Sequence, residues 1–308
     1  MAKTTTEFLD GLKKRITYPA NQELLTTVDL LRGASELLRL GITKTIKASR
    51  QNYLLATATI PVIANQQFYD VPYRSVVNGL EDIKWTQSEN SQYYDMAYLR
   101  VEDLDKYLFQ ASNPYGFYFQ ADQIGLAPIP AADSGLLKLW YHRRLSNLCQ
   151  PSQAGQVTNI NGNIVTLDNL PETFVPGFEI DFIKSKSMPV ILDQDQQITN
   201  VAGTQLTFLS VPSRLVVGDW IAPANFTPII PLMDEGFRYF EGAAGIYILN
   251  SIGDFEGSKR LDDEEFKQDE KDFKSLLEPR IDGEPEKVVN YHNLLRQKST
   301  RSFGFFRR

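Results

Sequence analysis

A stretch in the middle of the chain is repeated, and this repeat constrains the fold more than any other feature of the sequence. Residues 156–180 align without a gap on residues 197–221, at an offset of 41 residues, with nine identities in 25 positions. Each copy predicts a strand, a turn at a glycine, a second strand, a loop at a proline and a third strand. One such unit cannot cover its own sheet, so two copies are expected to close into a small barrel. Two unrelated hairpins with similar turn residues are the alternative.

The first 50 residues predict helices. Thr4 and Glu7 have the spacing of a capping box, so we expect a helix from there to about Ile16. Asn21 is the expected N-cap of a second helix, and Gly41 is expected to mark its kink or its end. The apolar face predicted for this second helix consists of Leu24, Val28, Leu31 and Leu38.

Strand patterns follow the helical region. Segments 53–60 and 67–72 flank a turn at residues 64–66, and they predict a β-hairpin rich in β-branched and aromatic residues. Residues 82–85 predict a further strand, and residues 101–109 a short helix. Three later segments predict an antiparallel meander, namely 116–119, 124–130 and 136–141.

Two helices are predicted after the repeat. The first runs from residue 232 to 251, and its small residues 242–245 would allow another helix to approach closely. Its expected apolar face contains Phe237, Phe240, Ala244, Tyr247 and Ile248. The second helix runs from residue 258 to 277 and is more polar, with a thin apolar stripe. The members of that stripe are Leu261, Phe266, Phe273, Leu276 and Leu277.

The last 18 residues form a basic arm with five cations and no acid. Its candidate partner-binding residues are Arg296, Lys298, Arg301, Phe303, Phe305, Phe306, Arg307 and Arg308. We favour docking of the arm into an apolar groove of another protein, with arginines meeting carboxylates at the rim. An ordinary disordered end is one alternative. Nucleic-acid binding through phosphate contacts and base stacking is another, although the chain as a whole has a net charge of −6.

The sequence offers little catalytic chemistry. We find no P-loop, dinucleotide-binding glycine motif, zinc-protease motif or nucleophile elbow, and we expect neither a metal nor a cofactor. With a single cysteine, Cys149, the chain cannot form an internal disulfide, which favours a reducing compartment. His142 and His292 are isolated histidines, expected to be structural. A glycosidase or peptidase would need paired carboxylates or an activated nucleophile, and no such set stands out.

No apolar run reaches the roughly 18 to 20 residues that cross a bilayer, and the first residues lack a signal-peptide core. The sequence therefore predicts a soluble, cytoplasmic protein without a membrane anchor.

Taken in order, these segments resemble the head-to-tail adaptor (connector) proteins of tailed bacteriophages. The resemblance is carried by the N-terminal helices, by segments 57–72 and 116–143, and by Pro228-Ile-Ile-Pro231 before the C-terminal helices. It covers roughly residues 5–150 and 227–278, so the repeat at 154–224 looks like an insertion.

The resemblance implies a non-enzymatic virion protein of the head-tail neck that is assembled in the host cytoplasm. Family members form a ring, usually of twelve copies, below the portal. Genome DNA passes through the ring during ejection without sequence-specific binding, and tail or nozzle proteins attach to it. Another non-enzymatic phage component, such as a tail or baseplate subunit, remains the alternative. The basic arm is then expected to bind the portal.

The expected fold class is α+β: a helical adaptor core with an antiparallel β meander, plus an inserted all-β barrel-like domain built from two repeats. The expected domain boundaries are 1–150, 151–226, 227–283 and 284–308. Acidic residues of the last helix are expected to line the channel, because like charge keeps phosphates from binding to the wall. These residues are Asp262, Asp263, Glu264, Glu265, Asp269, Glu270 and Asp272.

Overall fold

The computed structural model describes most of the chain up to Leu277. The described residues are 3–16, 25–49, 53–88, 91–106, 113–133, 135–185, 190–262 and 264–277. Residues 1–277 form one unit with a helical bundle, two facing sheets and a closed barrel. Helices and antiparallel strands together with a separate all-β barrel confirm the expected α+β class.

Six α-helices are present among the described residues. They are α1 (Thr5–Arg15), α2 (Thr27–Leu37), α3 (Thr43–Ser49), α4 (Phe237–Ser251), α5 (Phe255–Leu261) and α6 (Glu264–Leu277). A π-helical turn, Leu38–Ile42, joins α2 to α3, and short 3₁₀ turns occupy Val101–Lys106, Pro151–Gln153 and Asp234–Gly236.

The strands fall into two groups along the chain. Those before the repeat are β1 (Leu55–Pro61), β2 (Phe68–Asp70), β3 (Ser75–Thr86), β4 (Tyr94–Asp95), β5 (Ala97–Tyr98), β6 (Gly116–Gln120), β7 (Gln123–Ala127), β8 (Leu136–Arg143) and β9 (Asn147–Leu148). Those of the repeat and after it are β10 (Gly155–Asn161), β11 (Ile164–Leu167), β12 (Glu179–Lys184), β13 (Val190–Ala202), β14 (Gln205–Phe208), β15 (Trp220–Pro223) and β16 (Phe226–Thr227).

The first two helices begin at capping boxes. Thr4 caps α1 as predicted, with its hydroxyl accepting from the Glu7 amide and the Glu7 carboxylate accepting from the Thr4 amide. Asn21, the predicted cap of α2, lies outside the described residues, and the prediction is wrong because Thr26 caps that helix and Asp29 completes its box. The Thr26 hydroxyl and the Asp29 carboxylate accept from backbone amides at the start of α2 that have no partner within the helix.

The buried face of α2 also differs from the predicted one. Val28 is 64% exposed, whereas Leu31 and Leu38 are buried as expected. The residues that complete the buried face are Leu30, Ala34 and Ser35. They face the bundle because α2 packs on α4, which rotates the buried stripe toward that partner. Gly41 lies in the π-helical turn, so the predicted irregularity is confirmed there.

Helix α4 lies at the centre of the bundle and contacts α1, α2, α5 and α6. Phe8 of α1 stacks on Phe240 of α4, with ring centroids 4.7 Å apart. The prediction of a single helix over residues 258–277 is wrong in one respect. Asp262 leaves the helical conformation and separates α5 from α6. The apolar stripe of α6 is buried at Phe266, Phe273 and Leu277, as expected.

The predicted hairpin of residues 53–72 does not form. Strand β1 pairs with β8 in a sheet of order β1-β8-β3-β4, whereas β2 pairs with β7 in a sheet of order β2-β7-β6-β5. The predicted turn is present, with Asn65 at φ 60°, but it carries the chain from one sheet to the other. Each strand finds its hydrogen-bond partner far along the sequence, and local turn chemistry does not specify that partner.

The prediction of a three-stranded meander is correct for two of its strands only. β6 and β7 pair in register around the turn at Ala121, but β8 belongs to the other sheet, between β1 and β3. The two sheets lie face to face and share one apolar core. That core includes Ile83, Trp85, Leu137 and Leu139 from the first sheet and Tyr69, Ile124 and Leu126 from the second.

The repeat forms a closed six-stranded barrel of order β10-β11-β14-β13-β12-β15. Every strand pairing in one copy has its counterpart in the other, since β10, β11 and β12 correspond to β13, β14 and β15. Buried core residues also come in equivalent pairs. They are Val157 and Ile198, Val165 and Leu206, Leu167 and Phe208, Phe174 and Leu215, and Ile180 and Ile221. The barrel prediction is therefore confirmed.

Candidate interaction surfaces

A buried ion pair joins the barrel to the sheets. Arg74, in the loop between β2 and β3, makes a bidentate contact with Asp181 of β12: Nη1 to Oδ2 is 2.7 Å and Nη2 to Oδ1 is 2.9 Å. Arg74 is 2% exposed and Asp181 is fully buried. The carboxylate also accepts from the backbone amides of Asp195 and Asn225, at 3.1 and 3.0 Å. A charge pair of this geometry holds two parts of a protein in one orientation.

Asp181 is one of the positions at which the two copies of the repeat differ in chemistry. Its equivalent in the second copy is Ala222, which is also fully buried, and the two are directly paired on β12 and β15. The first copy thus carries the contact to the sheets. Sequence reasoning missed this pair, although the substitution of an acid for an apolar residue at one repeat position was the signal that could have found it.

Tyr73 and Asp195 extend the junction toward the surface. Both the Tyr73 hydroxyl and the Arg74 guanidinium donate to Oδ1 of Asp195. Burial, together with the hydrogen bond to Asp195, raises the pKa of Tyr73 to about 12. The phenol is therefore a constant hydrogen-bond donor at ordinary pH.

A cleft of about 610 Å³ lies between the first sheet and the barrel. Residues 54–58 of the β1 region form one wall and residues 191–194 of β13 another. Three arginines and one acid contribute to its lining: Arg143, Arg144, Arg214 and Asp193. The cleft is of ligand size, and three of the four charged residues that line it are cations, in a chain of net charge −6.

A second cleft of about 690 Å³ adjoins the first copy of the repeat. Its lining is largely apolar, with Leu170, Phe178 and Phe226 among the contributors and Glu172 as the charged one. Cys149 also lines it, and burial raises the pKa of this thiol to about 12. A thiol held protonated is a poor nucleophile.

An aromatic cluster lies at one edge of the second sheet. Tyr98 contacts Phe117 and Phe119, with ring centroids 5.7 and 6.1 Å apart. Tyr98 is 61% exposed and Phe119 is 42% exposed, so the cluster leaves apolar area open to solvent.

The predicted channel-lining acids are mostly engaged within the chain. Asp269 is paired with Arg15 of α1 at 3.0 Å, and Glu270 with Lys274 at 2.7 Å. Asp272 is exposed and accepts from Gln268 at 2.7 Å. Asp262 is half-exposed and lies 4.0 Å from Lys267. Asp263 lies outside the described residues, as do the side chains of Glu264 and Glu265.

The small residues of α4 pack against helices of the same chain. A Cβ at Gly242 would lie 2.6 Å from Cδ2 of Phe266 in α6, and one at Gly245 would lie 3.0 Å from Leu261 of α5. The close approach of another helix that residues 242–245 predicted is therefore confirmed at these two glycines, within the helical bundle.

The basic arm and His292 lie outside the described residues, and this includes all eight candidate partner-binding positions. His142 is buried on β8, where Nε2 lies 2.7 Å from Oε1 of Glu81. Within the part of the chain that the structure describes, no three histidine, cysteine or acidic side chains are grouped closely enough to hold a metal. Of the described helices, none has the length and apolar character of a membrane span.

A comparison with protein families places these features in context. A family profile described as SU10 adaptor protein matches residues 12–178, more than half of the chain. The chain belongs to the SU10 adaptor protein family. Membership in this adaptor family indicates a structural protein of a bacteriophage particle. No curated protein matches the chain.

The boundaries of the family match differ from those of the resemblance derived from sequence. The match continues through β10 and β11 and ends at residue 178, so most of the first repeat copy lies within the segment shared with the SU10 adaptor family. Residues 227–278, which carried part of the resemblance, lie outside the match.

Proposed function

We propose that this protein is a head-to-tail adaptor that forms a ring below the portal in the virion neck. Genome DNA passes through this ring, and tail or nozzle proteins attach to it. The observation that carries the proposal is the adaptor-family match over residues 12–178. The architecture supports it, because the barrel is tied to the sheets by the buried Arg74–Asp181 pair, as a rigid ring segment requires.

Electron microscopy and native mass spectrometry of the purified protein, alone and mixed with portal rings, test the proposal. We expect closed rings of twelve subunits, formed alone or on the portal, since unlike surfaces that meet around an axis close into a ring. A protein that stays monomeric under both conditions contradicts it. The copy number per virion separates an adaptor from a tail or baseplate subunit.

The basic arm is proposed to bind the portal. Removal of residues 296–308 should abolish co-assembly with portal rings and leave the circular dichroism melting curve unchanged. Two matched variants distinguish the contribution of charge from that of apolar contact. One replaces the five cations of residues 296–308 by glutamine, and the other replaces Phe303, Phe305 and Phe306 by serine. Co-assembly at wild-type levels in the truncated protein contradicts this part of the proposal.

The acidic helix α6 is proposed to face the DNA channel. Asp272 is the best candidate for contact with passing DNA, because it is exposed and has no cation as a partner among the described residues. Asp272→Lys should slow DNA ejection, since a cation on the wall attracts phosphates. Glu256→Lys, at an exposed acid of α5, is the matched control. Equal ejection rates in Asp272→Lys and wild-type phage contradict the placement of α6.

A further inference from the structure

Strand β1 is an open edge of the first sheet. Among the described strands, only β8 pairs with it. The Arg143 amide donates to the Leu54 carbonyl at 2.8 Å, and the Val62 amide donates to the Gly135 carbonyl at 2.9 Å. These bonds at the two ends of the strand establish which backbone groups point toward β8. Backbone direction alternates along a strand, so the even-numbered residues between them also face β8.

The odd-numbered residues of β1 therefore point their backbone groups away from the sheet. Leu55, Thr57 and Thr59 each present an N–H and a C=O to the open edge, and their side chains are exposed. Within the described part of the chain, no hydrogen bond to these outward groups is present. Such an edge is a template for one more strand.

The open edge lies in the 610 Å³ cleft. Residues 55–58 form its wall on the side of the sheet, and residues 191–194 of the barrel form the opposite wall. Four consecutive residues of β1 line the cleft, so a segment that binds in it can lie beside β1 over several residues. An extended peptide beside β1 would satisfy the outward backbone groups of Leu55 and Thr57 in one arrangement.

Two cations of the cleft form no ion pair with any residue that the structure describes. The guanidinium groups of Arg143 and Arg214 make no hydrogen bond or ion pair with any described residue, and the lining contains one acid, Asp193. Burial lowers the pKa of Arg143, an effect that Tyr141 and Asp181 oppose, and the group remains a cation at ordinary pH. A desolvated cation of this kind is stabilised when an anion binds beside it.

We propose that this cleft binds an extended, acidic segment of a partner protein, which adds to the first sheet as a strand beside β1. The backbone of the segment pairs with Leu55, Thr57 and Thr59, and its carboxylates meet Arg143 and Arg214. Pairing of β1 with β1 of a second copy is disfavoured, because it would bring two sets of unpaired arginines together. Binding of this segment would require neither the ring, nor the portal, nor the basic arm.

A designed peptide tests the proposal with the full-length protein. The probe is fluorescein-labelled Ser-Val-Glu-Val-Asp-Val-Ser with blocked ends, and its binding is followed by fluorescence anisotropy. We expect saturable binding that weakens about tenfold or more when the two acids become Gln and Asn, because charge-assisted hydrogen bonds are lost. Equal binding of the acidic and neutral peptides contradicts the role of the arginines.

Backbone pairing is tested separately by N-methylation of the peptide at alternate residues. Methyl groups on one set of alternate amides should block binding and those on the other set should not, since a strand added at an edge uses one side of its backbone. Equal effects of both sets overturn strand addition.

Variants of the protein complete the test. Thr57→Pro removes an outward N–H and should abolish binding, and Arg214→Gln should weaken it about three- to tenfold. Arg260→Gln, at an exposed arginine of α5, is the matched control and should bind as wild type. If the unliganded protein dimerises and Thr57→Pro abolishes the dimer, the edge pairs with itself and the proposal is wrong.

Discussion

Val165 pairs directly with Leu206 in the barrel, and the two residues occupy the same position in the two copies of the repeat. The pairing of Asp181 with Ala222 has the same property on the other side of the barrel. A residue can pair with its own equivalent only at a two-fold axis. The barrel therefore has a pseudo-two-fold axis that passes through these two pairings, and Asp181 breaks the symmetry where the barrel meets the sheets.

The Arg74–Asp181 pair gives the first prediction. Asp181→Ala should lower the free energy of unfolding by about 3–5 kcal/mol, because it leaves a buried guanidinium without its counter-charge. Urea denaturation followed by circular dichroism measures the effect. The double variant Arg74→Met with Asp181→Ala should recover part of the loss, since it removes the unpaired charge. A loss within experimental error for the single variant contradicts the stabilising role of the pair.

The barrel core gives the second prediction. Leu206→Ala should cost about 2–5 kcal/mol of unfolding free energy, because Leu206 is fully buried on the pseudo-axis and its loss leaves a cavity. Leu209→Ala is the matched control three residues further on, where the side chain is 86% exposed. Thermal melts of the two proteins should differ clearly. Similar melting temperatures would show that the axis is not tightly packed.

The helical bundle gives the third prediction. Gly242→Ala should destabilise the isolated subunit, because the new methyl group would lie 2.6 Å from Phe266 within the same chain. Gly33→Ala in α2 is the control: its methyl group would lie 3.3 Å from the side chain of Ile248, and alanine favours a helix by about 1 kcal/mol over glycine. Unfolding at a protein concentration too low for assembly measures both. If Gly242→Ala affects assembly alone, this face belongs to a subunit interface after all.

Glu241 gives a prediction for pH dependence. Burial raises the pKa of this carboxyl group on α4, while Lys3, Arg15 and Arg238 act in the opposite direction. A folded-state pKa above the ordinary value of 4.5 means that the folded protein gains stability as pH falls from neutral through that pKa. Glu241→Gln should therefore melt at a higher temperature than wild type at pH 7.

The difference between Glu241→Gln and wild type should close as pH falls below 4.5, where the wild-type carboxyl group becomes protonated in both the folded and the unfolded state. Melting temperatures across this pH range provide the measurement. A variant that melts below wild type at pH 7 would show that the three nearby cations outweigh burial.

The elements that the sequence predicted correctly are those whose hydrogen bonds close within a few residues. The Thr4 box involves partners three positions apart, and the turns at Gly162 and Gly203 have φ of 59° and 58° in equivalent places. The repeat added longer-range information, because two copies of a strand unit have few ways to cover each other. The barrel was predictable on this basis.

Apart from the cap of α2 and the helix break at Asp262, the errors concern contacts between distant residues. The partner of β1 is β8, with Thr57 opposite Trp140, and no local pattern distinguishes that partner from the nearby β2. Likewise, the candidate sites chosen from charge alone did not include the cleft. Its cations come from β8 and from a loop of the barrel, and only the docking of these two parts brings Arg143 and Arg214 into one space.

From the order of its residues alone, this chain specifies helix starts, strand-forming segments and a two-copy barrel, because caps, turns and alternating burial are short-range effects. Tertiary structure alone decided how the strands divide between two sheets, which face of α2 is buried and where Asp181 finds its counter-charge. Those outcomes depend on apolar cores and a buried ion pair that form only when segments about a hundred residues apart meet.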